Sequence, residues 1–366
     1  MISCQSTVYI DYTPKKNTTY FPIGEIDVTP STLKYWKDAL EKHFTRLHKY
    51  AKFNGNVLVA RKGNVIYSGS FGVKDLGTKD SLNINSLFQI ASVSKTFTAM
   101  AVMLLVEDGV LKLEQEVTDF FPDFPYSGVT IKDLLTHRSG LPKYLYTTEE
   151  IWKDAGLKTN KDVLKHLIED QPNRQGNPDR FFAYNNTNYA LLPLIIEQAS
   201  GMPFNDFMQV RIFDPLGMKD TYIFSADHQN IPKNNITTGY TRRNIPDVMV
   251  ATDGVAGDKN IYSTVEDLLK WERANSHAYL FQQSTLDSVV KSRSNEKPGR
   301  KNYGYGWRIL DEPKKDRIVY HTGWWHGYTA ILSRNPKDET VIIVLSNIFN
   351  RATYRIQPVW DILYEK

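Results

Sequence analysis

The chain has 366 residues, 41% apolar and 23% charged, enough for a large hydrophobic core and, at roughly 150 residues per domain, for two or three units or one two-lobed body. With 45 Lys+Arg against 41 Asp+Glu the net charge is only +4, and no basic run or zinc-ligand spacing occurs, so nucleic acid is excluded as the expected partner. Aromatics at 12% argue against disorder, and the longest apolar run, Ala99–Val106, ends at Glu107, far short of the ~18 residues of a membrane span.

Residues 1–29 read as irregular, broken by Pro14 and Pro22. The single cysteine, Cys4, excludes an internal disulfide framework. Ile2-Ser3-Cys4-Gln5 has the form of the end of a bacterial lipoprotein signal, which would make the protein exported, periplasmic or lipid-anchored at Cys4. The other reading is a tail with a chance cysteine.

From Ser31, Leu33, Trp36, Leu40, Phe44 and Leu47 recur at helical spacing, and Asn54-Gly55 marks the stop. Asn56–Arg61 and Asn64–Ser68 flank Lys62-Gly63 as a β-hairpin. The middle of the chain reads as helical: Ser94–Glu107, Thr130–Thr136, Lys161–Glu169, Thr187–Ala199 and Phe204–Phe213. Phe224–Thr252 is polar and irregular, and Ser263-Thr264-Val265-Glu266 has the form of a capping box opening another helix. Strands follow at Tyr305–Leu310, Arg317–His321, Tyr328–Ser333 and Thr340–Ser346, then a helix over Ala352–Tyr364.

These elements predict an α+β fold. The N-terminal hairpin joins the C-terminal meander in one antiparallel sheet flanked by helices, an α/β sandwich built from residues 30–91 and 251–366. Residues 92–250 form an inserted helical lobe, with the active site in the cleft between.

Four motifs could carry chemistry. In Ser92-Val93-Ser94-Lys95, serine and lysine share one face of a helical turn, where a neutral lysine can take the hydroxyl proton. Ser-x-x-Lys also occurs at Ser31, Ser288 and Ser294, read as solvated surface; only at Ser92 does an apolar helix follow. The alternative for Lys95 is a side chain that snorkels to solvent. Tyr184-Asn185-Asn186 offers a phenol to shuttle protons and an amide to hold a substrate, or simply a buried tyrosine with a capping asparagine. His321-Thr322-Gly323 ends a strand, with donors beside a glycine that lets a ligand approach; a plain strand end is the other reading. His137, in Leu134–Pro142, reads as structural, its ring holding backbone groups. No Gly-x-Ser-x-Gly elbow, His-Glu-x-x-His or Cys-x-x-Cys occurs, and neither phosphate-loop glycine motif is present.

In this order, Ser92-x-x-Lys95, Tyr184-x-Asn186 and His321-Thr322-Gly323 resemble the penicillin-recognising serine hydrolases: class C β-lactamases, D-Ala-D-Ala carboxypeptidases and related esterases. Phe88–Lys95, Asp133–Pro142, Tyr184–Leu192 and Tyr262–Trp271 support the resemblance, which covers about residues 50–350. It implies acylation of Ser92 with Lys95 as base, proton relay by Tyr184 and substrate contacts from Asn186, His321, Thr322, Gly323 and Trp324. The backbone N–H groups of Ser92 and Trp324 would form the oxyanion hole. It implies no metal or organic cofactor and a small-molecule or peptide substrate. His321 stands where class C β-lactamases carry lysine, and Trp324 and Trp325 follow where small or hydroxylated residues often sit. Those indoles point to a bulky apolar substrate group and weigh against strong β-lactamase activity. A D-Ala-D-Ala carboxypeptidase-like peptidase or β-lactamase-like amidase is the leading expectation, a carboxylesterase the runner-up, and a non-catalytic cell-wall or β-lactam binding protein the alternative of another class.

Overall fold

Thr29 opens the first helix by accepting the Thr32 backbone N–H on its side chain, with Pro30 at the first helical position. This helix, α1 (Pro30–Ala51), buries Trp36, Leu40 and Phe44, four residues apart on one stripe. Left-handed Lys52 ends it, slightly before the expected Asn54-Gly55 stop. The computed structural model describes residues 23–153, 155–229, 231–232, 234–296, 299–311 and 315–364. Cys4 and most of the irregular N-terminal segment lie outside them.

Strands β1 (Gly55–Arg61) and β2 (Asn64–Phe71) form the expected hairpin. Lys62 and Gly63, both at positive φ, make its two-residue turn. Two short strands, β3 (Phe88–Gln89) and β4 (Tyr222–Ile223), flank β5 (Ile261–Ser263) in a small separate sheet. The C-terminal meander is β6 (Lys301–Tyr303), β7 (Arg308–Leu310), β8 (Ile318–Trp325), β9 (Tyr328–Asn335) and β10 (Thr340–Ser346). The large sheet runs β2-β1-β10-β9-β8-β7-β6, so hairpin and meander meet at β1–β10, antiparallel throughout. The α+β expectation is met.

Alternation along the strands separates two cores. Val57, Val59, Ile342 and Val344 pack under α1 and the last helix, α7 (Gln357–Tyr364). Leu58, Ala60, Ile343 and Leu345 face the other way, into a larger core shared with the central helices. Those include α2 (Ser94–Glu107), α3 (Ile131–Leu135), α4 (Asn160–Glu169), α5 (Asn186–Ser200) and α6 (Val265–Ser276). Helix α2 is buried all round from Ser94 to Leu105: the apolar run from Ala99 accounts for its second half, while its first turns also bury Ser94, Lys95, Thr96 and Thr98.

Several boundaries differ from expectation: β7 begins at Arg308 rather than Tyr305, with β6 before it, β8 runs past His321 to Trp325, and three more stand out. Thr264, not Ser263, caps α6, accepting the Asp267 N–H at 3.1 Å, because Ser263 is held in β5. The run Phe204–Phe213 is α-helical only to Met208, then widens into a π-helical turn over Gln209–Phe213. The C-terminal helix splits into a 3₁₀ turn at Arg351–Tyr354 and α7.

Candidate active site

The turn carrying Ser92 is fixed before any side chain acts. Strand β3 pairs with β5, the Ile90 N–H reaches Ile261 O at 2.8 Å, and Ser94 Oγ accepts the Ile261 N–H at 3.1 Å. Ala91 is buried in the left-handed region at φ 47, a conformation that strains a non-glycine residue by about 1–2 kcal/mol. Strand β8 runs against this turn because Gly323 has no side chain: a Cβ there would lie 2.1 Å from Ile90 O and 3.1 Å from Ala91 Cβ.

Lys95 lies one helical turn beyond Ser92, fully buried. Its Nζ donates to Ser92 Oγ at 3.1 Å and to the Asp258 carbonyl at 2.5 Å. It faces the rings of Tyr184 and Tyr189 at 5.2 and 5.7 Å. The snorkelling alternative is therefore ruled out, and no carboxylate forms an ion pair with Lys95 among the described residues.

Tyr184 is held by its neighbours. The His137 carbonyl accepts the Ala183 N–H at 2.8 Å, and His137 Nδ1 accepts the Asn185 N–H at 3.2 Å. The imidazole lies 4.3 Å from the Tyr184 ring. Burial, then the charges of Lys95 and Arg308, hold His137 well below the usual histidine range, so its ring is neutral and Nδ1 is free to accept. Asn185 is the N-cap of α5, accepting the Thr187 N–H at 3.0 Å and donating to Leu141 O at 2.7 Å. Asn186 faces the cleft, and its buried Oδ1 has no partner among the described residues. The Tyr184 hydroxyl likewise forms no hydrogen bond with a described residue; its contact with Lys95 is through the ring.

On the facing wall, His326-Gly327 closes the β8–β9 hairpin with both φ positive, so Trp325 and Tyr328 exchange backbone bonds. By alternation, the Trp324 N–H points off the far edge of β8. That edge is open, because β7 pairs only with Ile318–Tyr320. Thr322 and Trp324 line the cleft, and the Trp324 indole is 63% exposed. His321 sits behind them, fully buried. Its Nδ1–H donates to Thr322 O at 2.8 Å, which leaves Nε2 to accept from the Tyr303 hydroxyl at 3.2 Å. Burial, with Arg308 and Lys95, keeps this ring neutral too.

The cleft measures ≈ 1050 Å³. Ser92, Tyr184, Asn186, Thr322, Gly323 and Trp324 line it, whereas Lys95 and His321 stand behind its surface. One lining residue carried no sequence signal. Arg308 on β7 stacks over the Tyr184 ring at 5.0 Å, with no ion pair or hydrogen bond among the described residues and a buried Nε lacking a partner. A lone arginine on a strand has no spacing to betray it; only the β7–β8 register, which pairs Arg308 with Tyr320, brings it beside His321.

The family model described as Beta-lactamase matches residues 40–363. The chain belongs to that family. Its most similar curated relatives include penicillin-binding protein 4* of Bacillus subtilis, 35% identical over 84% of this chain and 71% of that protein. The flp protein of Staphylococcus aureus is 26% identical over 80% of this chain and 59% of its own length. Among solved structures, a penicillin-binding protein from Bacillus halodurans superposes with TM-score 0.76 at 25% identity, covering 88% of this chain and 97% of that one. The D-amino acid amidase of Ochrobactrum anthropi SV3 gives 0.72 at 25% identity, covering 91% and 97%. The expected resemblance is thus met at the level of family and fold, in a family of serine hydrolases that includes penicillin-binding proteins and amidases. Among the described residues no helix is long and apolar enough to cross a membrane.

Proposed function

We propose that the protein is a serine hydrolase that cleaves an amide bond through an acyl-enzyme on Ser92, as a D-Ala-D-Ala carboxypeptidase or β-lactamase does. The observation that carries this reading is the Lys95 amine, buried and held by the Asp258 carbonyl, 3.1 Å from Ser92 Oγ.

Ser92 Oγ attacks the substrate carbonyl carbon and its proton passes to neutral Lys95 Nζ. The oxyanion lies between the backbone N–H groups of Ser92 and Trp324, fixed dipoles that need no reorganisation. As the C–N bond breaks, Tyr184 passes a proton to the leaving amine. Water then attacks the ester carbonyl, and the Ser92–acyl bond breaks by the reverse proton path. Asn186 receives the substrate's amide. The unpaired Arg308 guanidinium favours a substrate with a carboxylate beside the scissile bond, as peptides and β-lactams have and simple esters lack.

The carboxylesterase reading keeps one specific support: the Trp324 indole stands exposed at the cleft, an apolar wall suited to an acyl chain. Intact-mass time courses with benzylpenicillin, a D-amino-acid peptide and a p-nitrophenyl ester separate the readings. A penicillin or peptide acyl adduct on wild type, absent from Ser92→Ala, is the expected result. Turnover of the ester alone moves the assignment to an esterase. No adduct and no turnover of any of the three supports a binding protein.

A further inference from the structure

A second lysine, Lys259, is 2% exposed and has no part in the chemistry above. Its Nζ donates to the Tyr144 hydroxyl at 2.8 Å and reaches the two Asp258 carboxylate oxygens at 3.3 and 3.4 Å. The Tyr144 hydroxyl in turn donates to Asp258 Oδ2 at 2.9 Å, closing a buried triangle. Asp258 is thereby held at its side chain, while its carbonyl oxygen takes Lys95 Nζ at 2.5 Å.

The same ammonium lies 5.0 Å from the Trp325 ring. Trp325 Nε1 donates to Asp253 Oδ1 at 2.6 Å, and His326 Nε2 bonds the same carboxylate at 2.9 Å. Trp325 and His326 follow directly on Trp324, whose N–H points off the open edge of β8. One buried charge therefore touches the supports of both the base and the oxyanion edge.

We propose that Lys259 is a positioning residue for acylation of Ser92: it fixes Asp258, and through the Asp258 carbonyl Lys95, while backing the Trp325 indole that anchors the Trp324 edge. The inference rests on the serine-hydrolase reading. A buried ion pair is a poor device for stability alone, since apolar replacement is often neutral or favourable. Burial itself pushes the Lys259 ammonium toward losing its proton, against the pull of Asp258 and Asp253. Lys259 is faced by Asp258, Asp253, Tyr144 and Lys95. Around Lys95 stand Tyr184, Tyr189, His137, His321 and Lys259.

The test follows covalent labelling of Ser92 by a fluorophosphonate, which needs an activated serine but no particular acyl group. Rates are measured from pH 5 to 9 for wild type, Lys259→Met and Lys259→Gln, with unfolding curves alongside. We expect labelling slowed by up to about 100-fold, as for a displaced catalytic group, with its acid limb displaced. Folded variants with the wild-type rate and limb overturn the inference alone. If neither neutral variant folds, the charge-keeping Lys259→Arg decides, and a labelling rate within about twofold of wild type overturns it. Wild type left unlabelled at Ser92 overturns the functional reading and this inference together.

Discussion

The two faces of the large sheet are built from the same strands and do different work. Under α1 and α7 the side chains are Trp36, Phe44, Val57, Ile342, Trp360 and their like, an apolar seam that excludes water. The opposite face carries Val319 and Leu332 too, but among them it buries His321, beside Lys95, His137 and Tyr303 of the facing segments. His321 and Gly323 pair with Leu332 and Ala330, so the alternation that places Ile331 under α7 places the third motif toward the turn that carries Ser92. Buried polar groups are costly unless satisfied; the contrast teaches that this protein concentrates that cost on one face and keeps the other for stability.

The largest break in this contrast comes at Gly323. Gly323→Val puts atoms against Ile90 O. We expect a stability loss of about 1–3 kcal/mol from overpacking and, in the folded fraction, acylation slowed by about 100-fold, read by urea unfolding and intact-mass kinetics. A wild-type acylation rate would mean that the strand-to-turn spacing is not what sets the site. Phe44→Ala removes a ring that is 2% exposed and stacked on Tyr67. It should cost about 3–5 kcal/mol of stability and leave kcat/KM of the folded protein unchanged, since it lies wholly on the other face.

Arg308→Gln sharpens the picture within the site. It should lower kcat/KM for a carboxylate-bearing substrate by roughly 10- to 100-fold, the worth of a hydrogen bond to a charged group, and leave a neutral ester nearly untouched. Equal losses on both substrates would remove Arg308 from carboxylate recognition.

The smallest effect is in the pH dependence. His137 and His321 are held below their ordinary range when folded, so the unfolded chain binds more protons below about pH 6.5. Stability contributed by their neutral forms is full above that pH and falls as the pH drops. The slope is up to about 1.4 kcal/mol per pH unit for each histidine. Urea unfolding from pH 7 to 5 should show it, and His321→Asn should remove about half of it.

The longer elements and the order of the large sheet were legible because each rests on many residues repeating one period. Helix α2 and strand β10 have the bounds read from sequence. Strands β3, β4 and β5, with two or three residues each, are too short to show a period and form only through pairing across the chain. The motif residues were legible as types and spacings, but their division of labour was not. Spacing does not reveal that His321 stands behind the wall or that Asp258 lends its carbonyl rather than its carboxylate to Lys95, although the capping asparagine was one of the two readings of Tyr184-Asn185-Asn186. Those depend on which long-range segments meet, as does the arrival of Arg308.

The contact between Gly323 and the Ile90–Ala91 turn has a consequence for how such a cleft changes over time. Main chain meets main chain there, so the gap between the Ser92 turn and the strand is set by peptide geometry and by the glycine at 323, not by the side chains at the rim. The side chains of Tyr146, Glu149 and Trp324 line the cleft and take no part in that contact. The site is thus a fixed jaw with an exchangeable lining: substitutions at the rim change what the cleft can hold while leaving the spacing of the Ser92 turn from β8 intact.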